Sequence, residues 1–359
     1  MSLTTTLPSA PSAPSAPARR PGVPFAFAGG YGPHCGGVHA LVRENGGRVR
    51  ARLAAPLEGS PTWLHLAEGG RRLHALLEDS HELASFAVDP DDGALTLMSR
   101  VATGGTLPVH LAFDDNAGRA REAWIAHYGD GSVRRAVVES DGALRAPDRS
   151  IAPRPGVEPH AHMVRRHPRW PLMLATDLGQ DLLRVWRVDE GGEMPIELEG
   201  LSLPRGSGPR HVVFHQMDAG QLYLLNEAAN ALDWLGLDEA GRLTHRLRLS
   251  CLPAGFEGLS YASDLLVTPD GRRLFALNRL HDAIAVFDVD ADGRPSWRGQ
   301  VWAQGRYPRS ATLGRGGGGL WVSRPRSHQL CVFRLEGDAL PRFDGRFIAM
   351  PGAACVVFR

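Results

Sequence analysis

The chain has 359 residues, 43% of them hydrophobic and 22% charged, a composition suited to a packed globular core. Its formal charge is +1, with 40 basic residues against 39 acidic ones, so the basic excess of a nucleic-acid protein is missing. Every basic residue is arginine. Without lysine neither a Schiff-base enzyme nor a Walker P-loop is possible, and any fixed cation in a site is Arg or protonated His.

Residues 1–21, MSLTTTLPSAPSAPSAPARRP, have too few apolar groups to repay chain ordering and read as a disordered tail. The tail lacks the apolar core of a signal peptide. Residues 22–359 read as one all-β domain. Strand patterns come first at FAFAGGY, GGVHALVRE and RVRARLA. A unit then recurs, best seen from Pro209: strand HVVFH, strand QLYLLNE, strand ALDWLGL and strand THRLRLS, joined by turns and showing no helical period. Residues 159–203 and 261–305 repeat it.

The units start at Pro61, Pro108, Pro159, Pro209, Tyr261 and Pro308, spaced 47, 51, 50, 52 and 47 residues apart. A further start at Pro351 is followed by one strand only, AACVVF. Its missing three strands are those at the other end of the chain. The expectation is a single seven-bladed β-propeller with four antiparallel strands per blade, its ring closed by pairing of the N- and C-terminal strands. Closure hides sheet edges that would otherwise invite aggregation.

No apolar run approaches the ~18 residues of a membrane helix, and no membrane partner is expected. Cys35, Cys251, Cys331 and Cys355 are too far apart for a zinc pattern or a redox pair. They read as reduced thiols of a cytoplasmic protein, either a monomer or a weak homodimer.

In each unit the first strand runs inward and the second returns, so first-strand starts and second-strand ends share one face of the disc. That face collects His65, His110, His160, His162, Arg210, His211 and Arg309 from the starts. From the ends it collects Tyr128, Asp177, Asn226, Glu227, Asn278, Arg279 and Arg324. Titratable groups converging on a concavity point to a small anionic ligand. A non-catalytic propeller binding a protein partner is the alternative from another class. Two motifs are set aside. Gly314-Arg315-Gly316-Gly317-Gly318-Gly319 fits GxGxxG but has no helix after it, so it reads as a hairpin turn. His160, His162 and His167 could suggest a metal, but no closed ligand set is visible, and neither metal nor cofactor is expected.

The motifs GYGPHCGGVHAL, PHAHMV with DLGQDLLRVW, GPRHVVFH with LYLLNEAAN, TPDGRRLFALNRLHDAIAVF and PGAACVVF span nearly the whole chain. In them the sequence resembles the seven-bladed propeller lactonases, which include bacterial 6-phosphogluconolactonases of the propeller type and fungal carboxymuconate cyclases. The resemblance implies a catalytic His, Arg, Glu and second Arg, at His162 (or its neighbour His160), Arg210, Glu227 and Arg279. His160, His211, Asn226, Asn278 and Arg309 are the expected substrate-binding residues.

Lactone hydrolysis needs a water, a base and positive charge where the oxyanion forms. Glu227 or a site histidine could be the base. Arg210 and Arg279 could hold the oxyanion or a substrate phosphate or carboxylate. An Arg210–Glu227 pair could equally be structural. The expected activity is hydrolysis of an anionic sugar lactone, 6-phosphogluconolactone, to 6-phosphogluconate; a muconate-type lactone is the alternative.

Overall fold

A computed structural model describes residues 22–113, 122–188, 194–317 and 319–359; the expected N-terminal tail lies outside them. The described residues form seven sheets. We number six blades in chain order: blade 1 (residues 61–102), blade 2 (108–151), blade 3 (161–202), blade 4 (209–250), blade 5 (261–302) and blade 6 (310–349). In the closing blade the C-terminal strand Ala353–Phe358 pairs antiparallel with Pro24–Gly30, and Gly37–Arg43 and Val49–Pro56 follow outward. Ala28 faces Val356 in that ladder. The expected ring closure is therefore present. Among the described residues helix is confined to three-residue 3₁₀ turns, one of them Arg315–Gly317 inside the glycine-rich GxGxxG segment. That segment joins Ser310–Leu313 to Leu320–Arg324, as the hairpin reading requires.

Burial follows from position in the blade. The innermost strand of blade 4, Pro209–Phe214, is buried throughout, while its outermost strand, Leu243–Ser250, is largely exposed. Apolar side chains of neighbouring sheets interdigitate. Leu174 and Val185 of blade 3 pack with Val212 and Leu224 of blade 4. Trp321 and Val332 of blade 6 pack with Ala28 and Val356 of the closing blade. Each sheet buries both faces against its neighbours, so the hydrophobic driving force is distributed around the ring. Blade 3 departs from the expectation of four strands: its outer strand is broken into Ile196–Glu197 and Leu201–Ser202, both paired with Leu182–Arg187.

One irregularity recurs. At the start of the innermost strand the ladder slips between Pro61 and Trp63, Pro108 and His110, Ala161 and Met163, Pro209 and His211, and Ala262 and Leu265. The extra residues are Thr62, Val109, His162, Arg210 and, in blade 5, one within Ser263–Asp264. A β-bulge re-aims the side chain it inserts. His162 and Arg210 thus occupy equivalent bulges in adjacent blades.

Candidate active site

Glu227 is the first residue after the strand Gln221–Asn226, and its backbone is held from both sides. Its N–H donates to Gly208 O at 2.6 Å, and its carbonyl accepts from Ala262 N, in blade 5, at 3.1 Å. Gly208 has φ +63°, and a Cβ there would meet Ala228 at 3.1 Å, so this close approach favours glycine. The Glu227 side chain is 20% exposed. Its Oε2 lies 2.9 Å from Arg210 Nε and 2.8 Å from Arg279 Nη2. Two guanidinium groups therefore share one carboxylate oxygen, and Oε1 has no partner among the described residues.

Arg279 ends the second strand of blade 5. Its Nη2 also donates to Ala262 O at 3.1 Å, its Nε to Tyr261 O at 3.3 Å and its Nη1 to Tyr307 Oη at 3.3 Å. Burial disfavours its charge, but Glu227 and Tyr307 more than compensate and hold its pKa above the ordinary value. Arg210 is only 1% exposed. Its Nη1 donates to His211 Nε2 at 3.0 Å, and His211 Nδ1 donates to Asp264 Oδ1 at 2.7 Å. Because guanidinium can only donate, the His211 proton sits on Nδ1 and its other nitrogen is occupied. Glu227, Arg210, His211 and Asp264 form one chain of polar contacts reaching from the mouth into the channel.

Other groups complete the mouth. Tyr128 stacks on His160, with ring centroids 4.3 Å apart, and His160 Nδ1 donates to Tyr128 O at 2.8 Å. Burial, then the Glu227 charge, raises the Tyr128 pKa. Arg309 Nε donates to Tyr31 Oη at 2.7 Å. Burial opposes the Arg309 charge, while Tyr31 and Glu78 raise its pKa overall. The exposed Arg326 lies 3.9 Å over the Tyr307 ring. Below them His211 contacts the rings of His162 at 5.4 Å and His110 at 6.4 Å, with Trp63 against His110 at 4.3 Å. Burial first, then the neighbouring His211 and the charges of Arg309 and Arg279, drives the His162 pKa well below 6.5, so this ring is neutral at neutral pH.

The structure thus brings together Arg210, Glu227 and Arg279, with His160, His162, His211 and Arg309 around them. It does not bring Asn226 and Asn278 to the mouth. Both are fully buried; Asn226 Nδ2 donates to Asp233 Oδ2 at 2.9 Å and Asn278 Nδ2 to Cys251 O at 2.6 Å. Their amides are hydrogen-bonded near strand ends within the fold, away from the residues gathered around Glu227. Arg210, expected as a possible substrate clamp, is buried and lies beside Glu227. His65 lies midway along Pro61–Ala67 and stacks on Phe113 at 4.4 Å, within the channel rather than at the mouth.

His167 cannot join His160 and His162 on a metal. It follows the far end of Ala161–Arg166, and both its nitrogens bond backbone groups, Nε2 to Ala219 O at 2.9 Å and Nδ1 to Trp170 N at 2.8 Å. Among the described residues no three His, Cys, Asp or Glu side chains group as metal ligands.

Four residues escaped the sequence reading: Tyr31, Glu78, Asp264 and Tyr307. Glu78 had a usable signal. It follows the second strand of blade 1 as Glu227 follows that of blade 4, and it accepts from Thr62 Oγ1 at 2.7 Å, the bulge residue equivalent to Arg210.

Comparison with known proteins places this geometry in a class. The family described as Lactonase, 7-bladed beta-propeller matches residues 25–358. The chain belongs to this family and is a lactone-hydrolysing carboxylic ester hydrolase. Among relatives, a 6-phosphogluconolactonase of Bacillus subtilis (strain 168) is 28% identical over 318 residues, covering 86% of this chain and 87% of that protein. One from Klebsiella pneumoniae (strain 342) is 26% identical over 326 residues, 89% and 95% of the two chains. The structure of the Pseudomonas aeruginosa periplasmic gluconolactonase superposes with a TM-score of 0.85 at 25% identity, covering 93% of this chain and 98% of that one. No helix among the described residues is long and apolar enough to cross a membrane.

Proposed function

We propose that this lactonase hydrolyses an anionic sugar lactone, 6-phosphogluconolactone, with Glu227 as the general base. The observation that carries this reading is the Glu227 carboxylate, fixed through Oε2 by Arg210 and Arg279, with Oε1 unpartnered at a partly exposed mouth. Oε1 takes a proton from water as the water oxygen bonds to the lactone carbonyl carbon. Arg279 and Tyr307 stand nearby to stabilise the oxyanion. Collapse breaks the bond between the carbonyl carbon and the ring oxygen, and the ring oxygen leaves as a hydroxyl, taking the proton back from Glu227. His162, kept neutral, and His160 are assigned to the substrate's hydroxyl groups.

The anionic substrate is supported by charge. Arg309 and the exposed Arg326 border the same mouth as Arg279, and guanidinium groups suit phosphate or carboxylate. The names of the Bacillus and Klebsiella relatives favour the phosphorylated sugar. The four described cysteines are all free and buried, in keeping with a cytoplasmic location. The test is the initial rate on 6-phosphogluconolactone, corrected for spontaneous hydrolysis, beside unphosphorylated gluconolactone and a muconolactone. The phosphorylated sugar should have the highest kcat/KM. A preference for either other lactone overturns the substrate assignment.

A further inference from the structure

A second polar cavity lies on the opposite face of the disc. The innermost strands run from the Glu227 face to this one, and the far ends of Ala161–Arg166, Pro209–Phe214 and Tyr261–Val267 enclose about 460 Å³. That volume is within the range of small-molecule sites. Arg165, Arg166, Arg169 and His215 line it, and no carboxylate does so among the described residues. Arg165 lies three residues beyond His162 on an extended strand, about 10 Å further from the mouth. The cavity is therefore separate from the lactone site.

Arg165 is half-buried, yet it makes no hydrogen bond or ion pair with any described residue. The carboxylate whose charge reaches it is Asp264, and Asp264 is already occupied. Its Oδ1 accepts from His211 Nδ1 at 2.7 Å and Leu265 N at 2.9 Å, and its Oδ2 from Ala311 N at 2.8 Å. A partly desolvated guanidinium without an acceptor is costly unless something pairs with it. His215 adds a defined donor. Its Nδ1 accepts from Met217 N at 3.3 Å and Asp218 N at 3.1 Å, so the proton is on Nε2. Arg169 is exposed at the rim.

We propose that this cavity is a second anion site, binding a small oxyanion bearing phosphate or carboxylate between Arg165 and Arg169, with His215 Nε2 as a third donor. The inference does not depend on the lactone assignment, and its test uses no lactone. Inorganic phosphate and, separately, acetate are titrated calorimetrically into the full chain, with ionic strength held constant by sodium chloride. Wild type and the variants Arg165→Gln, Arg169→Gln and Arg279→Ala are compared, each first checked by thermal melting. We expect saturable binding of at least one of the two anions. Arg165→Gln should weaken it about tenfold or more, the loss of one charge-assisted contact. Arg279→Ala should retain it. If Arg165→Gln does not fold, the exposed Arg169→Gln carries the same expectation. Absence of saturable binding, equal binding in the folded cavity variants, or loss of binding only in Arg279→Ala overturns the proposal.

Discussion

Arg210 Nε lies 2.9 Å from Glu227 Oε2, and the two side chains differ sharply in exposure, at 1% and 20%. A buried cation holding a partly accessible carboxylate is an anchor with a working end. The anchor is itself anchored, through His211 to Asp264. Substitutions along this chain should therefore separate chemistry from positioning.

Glu227→Gln removes the proposed base while keeping the shape, and the amide oxygen can take the place of Oε2 between the two guanidinium groups. Turnover should fall on the order of 10²–10⁴, with a cooperative melt retained. Steady-state kinetics beside thermal melts decide it. Full activity in a folded variant would remove Glu227 from the mechanism and leave His162 as the remaining base.

Arg279 borders both the carboxylate and the substrate space. If its main work is on the oxyanion, Arg279→Ala lowers kcat with little change in KM; if it grips the anionic group, KM rises instead. Its contacts to Glu227 and Tyr307 favour the first outcome, about 10²–10³ in kcat. Measuring both constants separates the two.

Asp264→Asn alters the far end of the chain. Both Asp264 oxygens accept hydrogen bonds, a pattern that an amide cannot reproduce. His211 then loses the acceptor that fixes its proton on Nδ1, and Arg210 its oriented neighbour. We expect kcat to fall about tenfold while KM stays within about twofold, since the residue sits beyond the mouth. The ¹⁵N shifts of His211 should report the altered acceptor at Nδ1. An unchanged His211 spectrum would mean that Asp264 does not position it.

Stability should depend on pH through buried histidines. Burial lowers the pKa of His65 to about 4, of His127 to about 4 and of His74 to about 3, from 6.5. In the unfolded chain these rings take up protons first as pH falls, so their contribution is complete above about pH 6.5 and is lost between there and about 4. The thermal midpoint should be flat from pH 8 to 7 and fall progressively below 6.5. A midpoint constant down to pH 5 would contradict this burial.

Ring closure rests on Ala353–Phe358 pairing with Pro24–Gly30. Deleting residues 352–359 exposes a long sheet edge and removes Val356 from the packing against blade 6. Light scattering should show aggregation, and the remaining soluble protein should melt several degrees lower. A truncated chain that stays monomeric with an unchanged midpoint would show that closure contributes little.

The sequence alone determined the architecture, because the recurring unit of about 50 residues and the orphan strand after Pro351 are local patterns that only a closed ring reconciles. It also placed Arg210, Glu227 and Arg279 on one face, since strand direction alone decides which ends of a blade meet. Only the tertiary structure decided which of those residues remain reachable. Asn226 and Glu227 are adjacent in sequence, yet one is fully buried against Asp233 and the other stands at the mouth. Asp264, Tyr31 and Tyr307 belong to the site because blades distant in sequence converge on one channel. Such contacts have no local signature: period and turn chemistry describe one blade at a time, whereas the site depends on the angles and bulges that set seven blades against one another.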